Sequence, residues 1–287
     1  MDDGSHLKSL DIAGSGVSSV KWSSLSPVLL AQFLVSLKEG SFDLFTPNDA
    51  QTYMLTVNSN KWIISRHLTP DHVTSFFTKI ADSSIMNVKS LSLTPYAGEI
   101  PHISPELVSC AVTKLEKFDA PISTLTDAQA SAVLTKLSVE KDLKLKILDL
   151  SDSYLRSVPT QTLVEAISGL EEGDFSGSNL TSEQLTEIFT GLSVVKDHKL
   201  RHLNLEFNDL SSVPTETLVA GISSLEVVDL SRTRLTTQQL KAIYRMVADR
   251  RCFWLREIHL QKNNLRSVPQ YLRDRAKQNQ SVQIILF

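Results

Sequence analysis

The sequence predicts one α/β solenoid domain over residues 1–287, curved so that a parallel sheet lines its concave face and helices line its convex face. Three observations predict it. A leucine-spaced strand pattern recurs along the chain at two fixed spacings. Each recurrence is followed by a segment with helical spacing. The composition, 41% hydrophobic and 21% charged, is that of a folded globular chain and not of a disordered, collagenous or mucin-like one.

Leu145-Lys-Ile-Leu-Asp-Leu150, Leu200-Arg-His-Leu-Asn-Leu205 and Leu255-Arg-Glu-Ile-His-Leu260 align without gaps. Each continues through a short polar residue (Ser153, Asn208, Asn263) and a leucine to Ser-Val-Pro, ending at Pro159, Pro214 and Pro269. A second type lies between them, starting at Leu115, Leu170 and Leu225, and runs on into Leu-Thr-x-x-Gln at Thr126–Gln129, Thr181–Gln184 and Thr236–Gln239. The starts 115, 145, 170, 200, 225 and 255 differ by 30, 25, 30, 25 and 30 residues, so two repeat types alternate.

The periods assign the elements. In L-x-x-L-x-L the residues Leu148 and Leu150 share one face and Asp149 takes the other, the alternation of a strand. Leu185, Ile188, Phe189 and Leu192 have helical spacing, and the Thr-x-x-Gln ahead of them is a capping box. Short polar side chains at the ninth repeat position (Ser123, Ser153, Ser178, Asn208, Thr233, Asn263) are placed to bond the turn's backbone. One repeat cannot bury its leucines alone, so repeats stack. Strands stack about 4.8 Å apart and helices about 8–10 Å apart, which curves the stack with its strands inside.

Towards the start of the chain, Val88–Leu93 and Leu7–Ile12 begin first-type repeats and Leu37–Phe42 begins a second-type one. Leu68-Thr69 follows Leu37 by 31 residues where the type expects 10, which implies an insertion of about 21 residues, at about 43–66. The count is then about nine repeats and a last strand at Val282–Phe287.

These motifs resemble the leucine-rich repeats, specifically the ribonuclease-inhibitor-like class with alternating repeat types, which also forms the sensor regions of NLR-type innate immune receptors. The unequal 25- and 30-residue units and the insertion depart from that class. The resemblance implies a horseshoe used for protein recognition. Fold alone does not name a partner.

No phosphate-binding, dinucleotide-binding, nucleophile-elbow or zinc-protease motif occurs, and the seven histidines do not cluster, so no enzyme, cofactor or metal is expected. Cys110 falls at a helical core position, and Cys252, in the polar run Asp249–Trp254, is expected as a surface thiol. Trp254 is either an exposed anchor or a cover for the preceding helix, and the second is expected. A net charge of −3 argues against nucleic acid, and no apolar run reaches the roughly 18 residues of a membrane span, so neither nucleic acid nor membrane is expected as partner. No signal segment follows Met1, and the expected location is the cytoplasm. No polar capping unit precedes Leu7, which implies either a fragment of a longer protein or self-association through an exposed end.

Two features are candidate binding sites. Tyr53–Val57 and Lys61–Ile64 flank Asn58-Ser-Asn60 and read as a hairpin. It either covers the neighbouring core or projects Tyr53 and Trp62 towards a partner. The second is an acidic column: the residue between the last two leucines of each motif faces the concave surface and includes Asp119, Asp149, Asp174 and Asp229, with Glu206 and Glu257 two positions away. Aspartates in adjacent repeats repel one another, and a partner protein with a basic surface relieves that repulsion. Otherwise the column is soluble filler. The expected function is non-catalytic protein recognition through this face. Two further readings stay open: a regulator of an enzyme, of nuclease-inhibitor or GTPase-activator type, and the ligand-sensing region of an NLR-like receptor.

Overall fold

The computed structural model describes residues 55–58, 61–64, 70–82, 89–93, 102–122, 124–140, 142–194 and 198–286. They fall into two compact units, residues 1–136 with 142–145, and residues 137–141 with 146–287. Tyr53 and the repeats starting at Leu7 and Leu37 lie outside the described residues.

In the first unit, strands β1 (Leu55–Asn58), β2 (Lys61–Ile64), β3 (Ser90–Leu93) and β4 (Lys117–Asp119) alternate, after the β1–β2 hairpin, with helices α1 (Pro70–Ala81), α2 (Pro105–Val112) and α3 (Asp127–Val139). β1 and β2 are antiparallel, with Val57 opposite Trp62. The hairpin is therefore present, but it does not stand apart from the sheet. β2 pairs in parallel with β3, Trp62 opposite Leu91 and Ile64 opposite Leu93, and β3 pairs in parallel with β4. Part of the insertion expected at about 43–66 thus lies within the sheet. Lys61–Ile64 supplies a strand of the sheet, 29 residues ahead of its partner. Trp62 and Ile64 hold the register positions that leucine holds in β3, which hid the strand's place in the parallel ladder from a search for leucines.

The second unit contains β5 (Ile147–Asp149), α4 (Thr160–Ser168), β6 (Glu172–Asp174), α5 (Ser182–Val194), β7 (His202–Asn204), α6 (Thr215–Ile222), β8 (Val227–Asp229), α7 (Thr237–Ala248), β9 (Glu257–His259), α8 (Gln270–Lys277) and β10 (Gln283–Ile285). Among the described residues these strands and α-helices alternate, with a 3-10 turn at Leu265–Ser267 ahead of α8, and each strand from β5 to β9 pairs in parallel with the next. This is a repeat α/β architecture. The ladder outruns the three-residue strands: Leu150, Phe175, Leu205, Leu230 and Leu260 each donate their N–H to the next strand's last carbonyl, at 2.9–3.0 Å.

The middle residue of each strand from β5 to β9 is buried and its two neighbours are half-exposed. The buried row reads Leu148, Gly173, Leu203, Val228, Ile258. Gly173 breaks the run of large residues, and Phe175 compensates: a Cβ on Gly173 would lie 2.6 Å from the Phe175 ring. Phe175 is fully buried at the position held by leucine in the neighbouring strands. Gly173→Val is therefore expected to destabilise the unit by about 1–3 kcal/mol through overpacking. Adding Phe175→Leu should recover most of that loss, read as the coupling in a double-mutant cycle by urea unfolding. Additive losses would show that the two residues do not share this volume.

The helices start in two ways. α4 and α6 follow Pro159 and Pro214, whose carbonyls accept from Leu163 and Leu218. α3, α5 and α7 carry the expected capping box, in which Thr126, Thr181 and Thr236 accept from the N–H of Gln129, Gln184 and Gln239 at 3.1–3.2 Å. The ninth-position side chains also act as expected in part. Ser178 and Thr233 donate to the Leu150 and Leu230 carbonyls, and Asn208 and Asn263 bond carbonyls of the preceding repeat. The Ser153 hydroxyl is instead buried with no partner.

Candidate functional site: the open sheet face of the second unit

Parallel register sorts the half-exposed strand residues into two rows on the face turned away from the helices. One row is Ile147, Glu172, His202, Val227 and Glu257; the other is Asp149, Asp174, Asn204, Asp229 and His259. Four of the predicted residues, Asp149, Asp174, Asp229 and Glu257, thus share this face. Glu206 joins them from the turn after β7. Asp119 belongs to the first unit, where it sits beside Lys117 at 3.3 Å and opposite Ser92.

The column is more than filler. Asp149, Asp174, Asn204 and Asp229 each accept, through Oδ1, the backbone N–H two residues on (Ser151, Ser176, Glu206 and Ser231) at 2.8–2.9 Å. These are Asx turns, which end each strand and satisfy a donor as the chain leaves the sheet. Asp and Asn make this turn more strongly than Ser or Thr, which favours their recurrence.

Nor does the column stand as bare repelling charges. Asn204 donates to Asp174 Oδ2 at 2.8 Å, His202 Nδ1 lies 3.2 Å from Glu172, and His259 lies between Asp229, at 3.7 Å, and Glu257. Arg232 Nε is 3.5 Å from Glu206. Burial still lifts the Glu206 carboxyl above its ordinary proton affinity, and the carboxylates of Asp229, Asp174 and Asp152 add to the lift, while Arg232 opposes it. Because the folded-state pKa is raised, ionisation of Glu206 works against the fold. Its favourable contribution is present below the ordinary carboxylate range and is lost as pH rises through the lifted value. Glu206→Gln should therefore raise stability at pH 7 relative to pH 4, as measured by urea unfolding at both. A loss at pH 7 would mean that the Arg232 contact outweighs the surrounding acids.

The turns hold a feature that sequence reading missed. Three residues past each column position, Asp152, Gly177, Phe207, Arg232 and Lys262 all adopt left-handed backbone, with φ between 54° and 63°. Their N–H groups continue the ladder, Asp152 to Ser176, Gly177 to Glu206, Phe207 to Ser231 and Arg232 to Gln261, at 2.7–3.2 Å. Glycine suits such a position, and phenylalanine is disfavoured there. Phe207 is nonetheless in this conformation, 57% exposed, with the Arg232 guanidinium 4.6 Å above its ring. Neither the protein-family models nor the curated proteins compared with the chain match it. The reading of its function therefore rests on this geometry and on the repeat pattern.

The loop between α7 and β9 reverses two expectations. Cys252 is buried, its thiol pushed up by burial, and Trp254 is exposed together with Phe253. The chain there is irregular, and no period predicts which side chain turns inward. Cys110 is half-buried. Among the described residues no group of three or more His, Cys, Asp and Glu side chains is arranged to hold a metal, and no helix is long and apolar enough to cross a membrane.

Proposed function

We propose that this chain is a leucine-rich-repeat recognition module of the ribonuclease-inhibitor-like class, acting without catalysis by binding a partner protein through the open sheet face of its second unit. The observation that carries the reading is Phe207. An exposed aromatic held in a backbone conformation that favours glycine, stacked under an arginine, has the composition of an interface hot spot. The carboxylates of Asp229, Asp174 and Asp152 act electrostatically on Glu206, the residue before Phe207, so the preferred partner surface is basic. Its Lys and Arg side chains are drawn in by the summed field, and Phe207 supplies the buried apolar contact.

The test uses a substitution that the protein itself contains. Asn204 makes the same Asx turn as its aspartate neighbours, so Asp149→Asn, Asp174→Asn and Asp229→Asn together remove three charges and keep the turns. With a partner captured from native lysate, the triple variant should associate roughly ten-fold more slowly at low salt, with a flatter salt dependence and a smaller change in dissociation rate. Unchanged association would confine the column to its role in the turns and move recognition elsewhere. Inhibition or acceleration of a captured enzyme on binding would favour the enzyme-regulator reading.

A further inference from the structure

We propose that a second surface, at the edge of the second unit where α7 and α8 end, docks on an anionic lipid bilayer. The loop leaves α7 through Arg250, in left-handed backbone, and then divides its side chains. Cys252 and Leu255 turn into the core, while Phe253 and Trp254 point outward with 87% and 60% of their surface exposed. Two adjacent aromatics this exposed are not explained by packing, because the residues on either side already fill the core.

The surroundings are cationic. Arg250, Arg251 and Arg256 are exposed on the same loop. Asn279 donates its side-chain N–H to the Val247 carbonyl at 2.9 Å, which sets the end of α8 beside the end of α7. Arg275 and Lys277 thereby join the patch, with Arg275 2.9 Å from Asp249, the acid that it shares with Arg251. Residues 241–277 carry ten Lys and Arg against Asp249, Glu257 and Asp274. Cations at the ends of α7 and α8 are favoured by the helix dipoles, but that preference does not account for Phe253 and Trp254.

A lipid interface suits both halves of the patch. Two adjacent protruding aromatics can enter the boundary between headgroups and acyl chains without a preformed pocket. Arginine and lysine beside it reach the lipid phosphates and the negative surface potential. Val194, at the end of α5, and Lys199, ahead of β7, are also exposed, and the parallel register puts the start of β7 on the same edge. Between them the loop before β8 brings Glu226, with Arg201 3.5 Å away, so the apolar and cationic contacts flank a paired acid along this edge. The expectation of no membrane partner rested on the lack of a spanning segment, and a peripheral contact needs none. The surface is separate from the sheet face, so its success or failure leaves the proposed function untouched.

The experiment sediments the whole protein with vesicles of phosphatidylcholine alone or with about 30% phosphatidylserine, at low and physiological salt. Binding to the anionic vesicles is expected, weakening as salt rises. Phe253→Ser with Trp254→Ser should lower partitioning roughly ten-fold or more. Arg250→Ser with Arg251→Ser should weaken it and flatten the salt dependence. All the altered side chains are exposed, so unfolding midpoints should match the parent and exclude misfolding as the cause. Absent binding, equal binding to neutral vesicles, or undiminished binding of the aromatic variant overturns the proposal. Preferential binding of soluble polyglutamate over the vesicles also overturns it, in favour of an acidic protein partner.

Discussion

Leu148→Ala should lower the unfolding free energy by about 2–5 kcal/mol, while Ile147→Ala, one residue away, should cost less than about 1 kcal/mol. Leu148 is buried in the middle of β5, and Ile147 is half-exposed on the opposite face. The contrast follows from the strand's period of two: the same truncation opens a cavity on one side and removes partly solvated surface on the other. The size of the loss depends on how far the neighbours collapse. Beside Leu148 in the sheet is Gly173, whose missing side chain is already replaced by the Phe175 ring, so little slack remains to fill a new cavity. Urea unfolding of the two variants, with m-values compared to confirm a common transition, measures the difference. Equal losses would contradict the assignment of faces along the whole buried row, because that row shares one register.

The strands and helix starts of the second unit were readable because their signals are periodic and local. Leucine at two alternating positions marks β5, β7 and β9, and Thr-x-x-Gln marks the first turns of α5 and α7. β2 was read as a hairpin strand, but its place in the parallel sheet was missed for a physical reason: Trp62 and Ile64 take the register positions of leucine, so the leucine motif is absent there. That Asp149, Asp174 and Asp229 share one side of their strands follows from alternation alone, but the cause of their recurrence was not visible. An Asx turn depends on the backbone N–H two residues on, and a search along the face for charge does not look there.

The candidate site was less legible still. Left-handed backbone at Asp152, Phe207, Arg232 and Lys262 leaves no trace in composition, because only Gly177 among the set is glycine. Phe207 therefore looked ordinary, although the repeat spacing to Gly177 held the clue. The α7–β9 loop shows the opposite limit. Cys252 and Trp254 exchanged their expected places because a loop without a period gives no rule for which side chain faces the core.

Gln239→Leu should cost about 2–5 kcal/mol, as much as a core truncation, although it swaps a polar side chain for an apolar one of similar size. Gln239 is buried and bridges two repeats. Its Oε1 accepts from the Thr236 N–H at 2.8 Å, and its Nε2 donates to the Leu210 and Val213 carbonyls at 2.8 and 2.7 Å. Leucine leaves the buried Val213 carbonyl without its partner and the part-buried Thr236 N–H without its acceptor, and it removes one half of the capping box. Gln184 makes the equivalent bonds to Leu155 and Val158, so the arrangement belongs to the repeat and not to one accident of packing. Gln239→Glu separates the two ends of the bridge. The carboxylate can still accept from Thr236, but it faces the two carbonyls with a further acceptor. Burial and those carbonyls raise its folded-state pKa, so its stability is greatest below the ordinary carboxylate range and falls as pH rises through the raised value. The protonated carboxyl restores one donor. Gln239→Glu should therefore approach the parent's stability at pH 4 and fall towards or below that of Gln239→Leu at pH 7. Urea midpoints at the two pH values decide this. A pH-independent Gln239→Glu would mean that the donor side of the bridge contributes nothing, and that the glutamine is kept for its cap alone.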